Sequence, residues 1–399
     1  MAAPPHSILF IAGDVSGDVH TAALARTILA RDASVILYAM GGARLREAVA
    51  GSKGGQFFGD TSHCSAIGII SAIKVYFRCW RLRERLRRFL RSHRVDAVVL
   101  CDWGAFNGRI LPELHARGLP ILYYFPPRSW QRSASSGLGI VPYVKRVATP
   151  FPWSADQLRQ AGCRAEWVGH PSLENVHTSE KRATLRLRFG VQPEETLIAL
   201  MPGSRRSELA LLGPKMAKAA ALLSAKQPMR FIAVVPRELT SEARHLLPGS
   251  VQIVTDCAPD LLHAADAAIV KTGTSSLEAV FAGVPHVAVY DVSPIVRIEW
   301  CLLWAWKRIP FYAMPNIILQ REAVPELLGL KSRPEKIAAV VHGLLEEGPV
   351  RRRMMEDYTL IRQALGSQLP VPPTERTAQI LEELLEETTG RAAPATAAA

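Results

Sequence analysis

Two turns in the second half of the chain have the residue types of a diphosphate site. In Met201-Pro202-Gly203-Ser204-Arg205-Arg206-Ser207-Glu208 an apolar run ends in Gly203 and Ser204, and two arginines follow. Arginines at a helix start can pair with phosphate oxygens beside the unsatisfied N–H groups of the first turn. In Lys271-Thr272-Gly273-Thr274-Ser275-Ser276-Leu277-Glu278, small residues again follow an apolar run and would let a diphosphate approach the backbone. Glu278, about one turn into the next helix, could accept hydrogen bonds from a ribose diol. One such loop is a weak signal, because glycine-containing turns are common between strands and helices. Two of them in successive strand-helix units point to a nucleotide-diphosphate donor.

The first half offers a base rather than an anion cradle. Asp102 stands at a strand tip in Cys101-Asp102-Trp103-Gly104-Ala105-Phe106-Asn107, where a carboxylate of raised pKa could take a hydroxyl proton from an acceptor sugar. The plainer alternative is a helix-capping aspartate. Gly13-Asp14-Val15-Ser16-Gly17-Asp18 follows the first strand and could offer N–H groups to an anion or a sugar hydroxyl, although it is not a GxGxxG loop. The expected acceptor-side set is Asp14, Ser16, Gly17, Asp18, Asn107 and His170. For His170 a structural hydrogen bond is at least as good a reading as catalysis. No DxD motif ends a strand, so neither a metal nor any other cofactor is expected, and Arg205 with backbone N–H groups would stabilise the leaving diphosphate.

The elements that must position these residues alternate short β-branched runs with helical patterns, the rhythm of parallel sheets. Five strands are expected in the first half (SILFIAG, SVILYAM, DAVVLCD, PILYYF, KRVATPF) and five in the second (TLIALMPGS, RFIAVVP, VQIVT, AAIVKTG, HVAVYD). The fold class is therefore α/β: two Rossmann-like, doubly wound domains facing a cleft, with ligands at the carboxyl ends of the strands. Expected boundaries are 1–170 for an acceptor- and membrane-facing domain and 171–345 for a donor domain. Helices at 346–387 would pack back across the domains, and 388–399 would form a disordered tail.

Composition narrows the partners. The 399 residues carry 48 Lys and Arg against 36 Asp and Glu, a formal +12 that suits phosphates, nucleic acid or an anionic membrane face. Six scattered cysteines without a CxxC pair fit neither a disulfide framework nor a zinc site. Residues 65–93 begin apolar and turn densely basic, so that Ile69, Ile70, Phe77 and Trp80 could lie in lipid with arginines on headgroups. Trp300, Trp304 and Trp306, flanked by basic residues, have the composition of an aromatic belt. A solvated basic face and buried tryptophans are the plainer alternatives. With no signal-peptide pattern and no apolar stretch of the roughly 20 residues that span a bilayer, the expected place is the cytoplasm, peripheral to a membrane.

Taken in order, GDVSGD, AIGI, CDWGAFN, VGHP, LMPGSRRSE, KTGTSSLE, Met314-Pro315-Asn316 and Arg321-Glu322 resemble the motif series of the lipid-A-disaccharide synthase family over about residues 7–330. The resemblance implies a GT-B glycosyltransferase. Such an enzyme moves 2,3-diacylglucosamine from its UDP ester to the 6-hydroxyl of 2,3-diacylglucosamine 1-phosphate, with inversion and without metal. It places Asp102 on the essential strand-tip aspartate, and Arg205, Glu278 and Asn316 on donor positions. It also implies work at the inner face of the inner membrane, and two anionic, acylated substrates then account for the basic charge without nucleic acid. The chain departs from the family pattern at Asp14, at Gly104-Ala105 and around Pro126-Pro127-Arg128, two of these on the acceptor side. A UDP-sugar transferase or epimerase with another acceptor, or a binding paralogue without turnover, therefore stays open, as does a homo-oligomer.

Overall fold

The strands Ser7–Ala12 (β1) and Ala97–Cys101 (β4) are apolar nearly throughout and buried at every position. Strands of this kind belong inside a parallel sheet that is covered on both faces. The computed structural model describes residues 5–13, 15–61, 64, 69–132, 137–225, 228–294, 297 and 310–390. It divides into a unit of Met1–Pro171 with Leu365–Ala399 and a second unit of Ser172–Ala364.

The first unit holds a seven-stranded sheet in the order β3-β2-β1-β4-β5-β6-β7. Its other strands are Ile36–Gly41 (β2), Gln56–Asp60 (β3), Ile121–Tyr124 (β5), Arg146–Thr149 (β6) and Ala165–Trp167 (β7), and every pairing is parallel. The helices Val15–Arg31 (α1), Ala43–Ala50 (α2), Ile69–Ser92 (α3) and Gly104–Ala116 (α4) follow β1 to β4, and Pro152–Gln160 (α5) follows β6. Strand order reverses between β1 and β4, which makes their carboxyl ends the topological switch point where such sheets bind ligands.

The second unit repeats the plan with six parallel strands in the order β10-β9-β8-β11-β12-β13. These are Thr196–Met201 (β8), Met229–Val234 (β9), Val251–Val254 (β10), Ala267–Lys271 (β11), His286–Tyr290 (β12) and Glu326–Leu328 (β13). The helices Ser172–Asn175 (α6) and Arg182–Arg188 (α7) precede β8, and Arg206–Ser224 (α8), Thr240–Leu246 (α9), Ala258–Ala264 (α10) and Thr274–Ala282 (α11) connect β8 to β12 in turn. Here the order reverses between β8 and β11, so the two glycine-containing turns meet at one switch point.

The helical end divides between the two units. The helix Pro349–Ala364 belongs to the second unit, and the last helix, Pro373–Thr389, belongs to the first. The last helix lays Ala378, Ile380, Leu381, Leu384 and Leu385 into the core formed by β1 and α1. Arg31 bridges to Glu382 at 2.6 Å and to Glu375, and Arg376 reaches Glu166 at 2.5 Å. Half-exposed ion pairs contribute about 0–1 kcal/mol each. Each buried leucine contributes about 1.5–3 kcal/mol, so the apolar face anchors the helix and the ion pairs set its register. Thr388 and Thr389 are still helical, and 391–399 lie outside the described residues.

Candidate active site

At the switch point of the first unit, Asp102 and Trp103 have left-handed backbone, with φ of 48° and 47°. Each such residue costs about 1–3 kcal/mol unless its surroundings fix it. Three hydrogen bonds hold Asp102: its N–H donates to the Phe125 carbonyl at 3.0 Å, while its carbonyl accepts from Asn107 Nδ2 at 2.8 Å and Tyr123 Oη at 2.7 Å. Burial pushes the Tyr123 hydroxyl far above its ordinary pKa, so it stays protonated and remains a donor. The Trp103 ring covers Gly13 so closely that a Cβ there would lie 2.0 Å from Trp103 Cγ, which is why the turn after β1 needs glycine. This scaffold leaves the Asp102 residue half-buried at the tip of β4. Sequence reading found Asp102 but not Tyr123 or Phe125, whose residue types carry no sign of this duty.

The second unit builds its switch point differently. Gly203 after β8 has φ of 118° and Gly273 after β11 has φ of 120°, conformations that side chains rarely adopt. Glu208, in the first turn of α8, accepts the Ser204 N–H at 3.0 Å through Oε2. Its Oε1 lies 3.0 Å from Lys271 Nζ and 3.8 Å from the Arg205 guanidinium. Ser276 is buried, and its hydroxyl donates to the Gly273 carbonyl at 2.6 Å, closing the start of α11. Thr274, Ser275 and Glu278 are half-buried along that first part of α11. Burial pushes the Glu278 carboxyl up to about 7. The two turns thus offer backbone N–H groups, small residues and cations together, the makings of a pyrophosphate cradle.

The sequence model described as lipid-A-disaccharide synthetase matches residues 8–371. The chain belongs to the lipid-A-disaccharide synthetase family. The curated lipid-A-disaccharide synthase of Myxococcus xanthus is 32% identical over 391 residues, covering 96% of this chain and 99% of its own. That of Prochlorococcus marinus is 32% identical over 371 residues, covering 89% and 93%. Among solved structures, the S. aureus MnaA–UDP complex is similar with a TM-score of 0.63 at 10% identity, covering 96% of this chain and 97% of its own. MurG of Acinetobacter baumannii is similar with a TM-score of 0.51 at 15% identity, covering 97% and 100%. At such identities the structural likeness speaks for the fold alone, and that fold is GT-B. Members of the lipid-A-disaccharide synthetase family are glycosyltransferases.

Several residues that the family resemblance or the motifs placed at the site carry hydrogen bonds or packing contacts within the units. Asp18 caps a neighbouring helix: its carboxylate accepts from Gly42 N at 2.7 Å, Arg44 N at 3.0 Å and Leu45 N at 3.2 Å at the start of α2. Burial raises its pKa while those three donors oppose the rise. Asn107 is fully buried, and its Nδ2 donates to the carbonyls of Asp102 and Cys101. Asn316 is also fully buried; its Oδ1 accepts from Ala323 and Val324 N–H, and its Nδ2 donates to the Val324 carbonyl. It therefore braces the loop before β13 rather than presenting an amide to a ligand. The His170 ring is buried against His20, Phe125 and Phe151, and its backbone N–H donates to the Leu365 carbonyl. Gly17 is buried beside Cys101 Sγ, Ser16 is half-buried, and Asp14 lies outside the described residues.

On α3, Tyr76, Phe77 and Trp80 are 58%, 59% and 56% exposed, unusual for large aromatic side chains. Arg78, Arg81, Arg85 and Arg88 are exposed on the same helix, while Leu82, Leu86 and Phe89 turn into the core. Ile69 and Ile70 belong to the helix, but their side chains lie outside the described residues, as do Trp300, Trp304 and Trp306 altogether. Among the described residues no helix is long and apolar enough to cross a membrane.

Proposed function

We propose that this glycosyltransferase joins two diacylglucosamine units, taking one from UDP-2,3-diacylglucosamine and adding it to the 6-hydroxyl of 2,3-diacylglucosamine 1-phosphate. Asp102 accepts the hydroxyl proton as the acceptor oxygen attacks the anomeric carbon from the face opposite the diphosphate. The bond from that carbon to the phosphate oxygen breaks, its electron pair leaves with UDP, and the new linkage has inverted configuration. Arg205, with the backbone around Gly203, Ser204, Gly273, Thr274 and Ser275, stabilises the charge that grows on the departing phosphate. Glu278 accepts from the ribose hydroxyls.

The observation that carries this reading is Asp102 at the switch point, held in left-handed backbone by Asn107 and Tyr123. Strain of this kind persists where a side chain must be aimed. The exposed Tyr76, Phe77 and Trp80 beside arginines support docking on an anionic membrane, where both lipid substrates reside. That surface would be the inner face of the inner membrane. Mass spectrometry of a mixture of protein, UDP-diacylglucosamine and diacylglucosamine 1-phosphate tests the reading. A disaccharide 1-phosphate formed in step with UDP is the expected result; UDP release without disaccharide would overturn it.

A further inference from the structure

Lys271 is the last residue of β11, and its ammonium reaches back across the switch point to Glu208 on α8. The pair therefore ties together the two turns on which the diphosphate reading depends. Four measurements describe the tie. Lys271 Nζ lies 3.0 Å from Glu208 Oε1, and Glu208 Oε2 accepts the Ser204 N–H at 3.0 Å. A Cβ built on Gly203 would lie 2.4 Å from Glu208 Oε2, and one built on Gly273 would lie 3.5 Å from Lys271 Nζ. The carboxylate and the ammonium thus rest directly on the two glycines whose bare backbone would face a diphosphate.

One carboxylate here serves two cations, Lys271 and Arg205, and an N–H of the turn. The Glu208 side chain is only 10% exposed and that of Lys271 only 22%. Both charges are therefore poorly screened, and an incoming anion would draw on a cation that is already ordered. Glu208 fixes where that cation sits, whereas the reacting chemistry places new negative charge on the departing phosphate oxygen. An ammonium beside Gly273 is suited to receive it.

We propose that Lys271 is a second diphosphate-binding cation alongside Arg205, held at the turn by Glu208 acting as a positioning residue. The inference rests on the donor-site reading above and extends it to the lysine that opens the second turn. Calorimetric titration with UDP and with UMP separates the two, because only UDP carries the second phosphate. In Lys271→Met the UDP dissociation constant rises roughly tenfold while that of UMP changes little, so the preference for UDP over UMP collapses. Lys271→Arg retains the preference. The double variant Lys271→Met with Glu208→Gln leaves no unpaired buried carboxylate and shows the same collapse, which covers the case in which the single variant fails to fold. A wild-type UDP preference that persists in both methionine variants overturns the role of Lys271 and leaves the donor site standing. A wild-type protein with no preference for UDP overturns the donor reading and this inference with it.

Discussion

At the tip of β4 the backbone is left-handed at Asp102 and Trp103, neither of them glycine, whereas at the tips of β8 and β11 the residues with positive φ are Gly203 and Gly273. The two units share a topology and a switch point, so the difference lies in what each tip must present. The proposed proton acceptor needs a side chain in one place, and the first unit holds Asp102 in left-handed backbone through Phe125, Asn107 and Tyr123. The proposed diphosphate site needs backbone within reach, and the second unit has glycine at both turns with the cations Lys271 and Arg205 held by Glu208 nearby. Aiming is thus achieved by hydrogen bonds to a strained carbonyl, and access by glycine.

The largest expected effect that could break this contrast comes from Gly273→Ala. At φ 120° and ψ −147° the position is essentially restricted to glycine, so the variant should lose about 1–3 kcal/mol of stability. UDP affinity should fall at the same time. Thermal melting with UDP titration checks it; a variant with wild-type melting and UDP binding would mean that bare backbone is not what the turn provides.

Tyr123→Phe should have a smaller effect and a different signature. It removes one of the two donors to the Asp102 carbonyl, at a cost of about 1 kcal/mol, and should lower kcat several-fold while leaving the donor KM near its wild-type value. Paired with Asn107→Ala, the losses should not add, because both donors fix one carbonyl. Simple additivity of the two in a double-mutant cycle would separate them from Asp102.

A third effect is one of pH. Burial raises the Glu278 carboxyl from 4.5 to about 7, so its contribution to stability is fully present below pH 4.5 and is lost as pH rises through about 7. Glu278→Gln should remove that slope, and melting temperatures across pH 4.5 to 8 would show the wild type losing ground to the variant. Parallel pH profiles would place Glu278 in water rather than inside the unit.

Residue types made the second unit's two glycine turns legible, since a glycine after a buried strand announces a backbone requirement. The first unit's scaffold was not legible: nothing in the types of Asp102, Trp103 or Phe125 signals positive φ, and Tyr123 reads as one more buried strand residue. Likewise a polar residue in a motif does not declare its partner. Asp18 and Asn316 could have faced a ligand, yet backbone N–H groups claimed both. Among the described residues there are thirteen strands, of which apolar continuity marks ten; the other three, β3, β7 and β13, are all sheet edges. Two of those span only three residues, too few to establish a pattern, and β3 carries polar residues at both ends.

Calorimetric titration of UDP into Asp102→Asn, alongside its turnover, tests most directly whether one unit supplies the base and the other the grip on UDP. The account predicts a UDP dissociation constant within about twofold of wild type together with a loss of turnover of roughly a hundredfold or more. UDP binding that collapses with the substitution, or turnover that survives it, would contradict that division of labour.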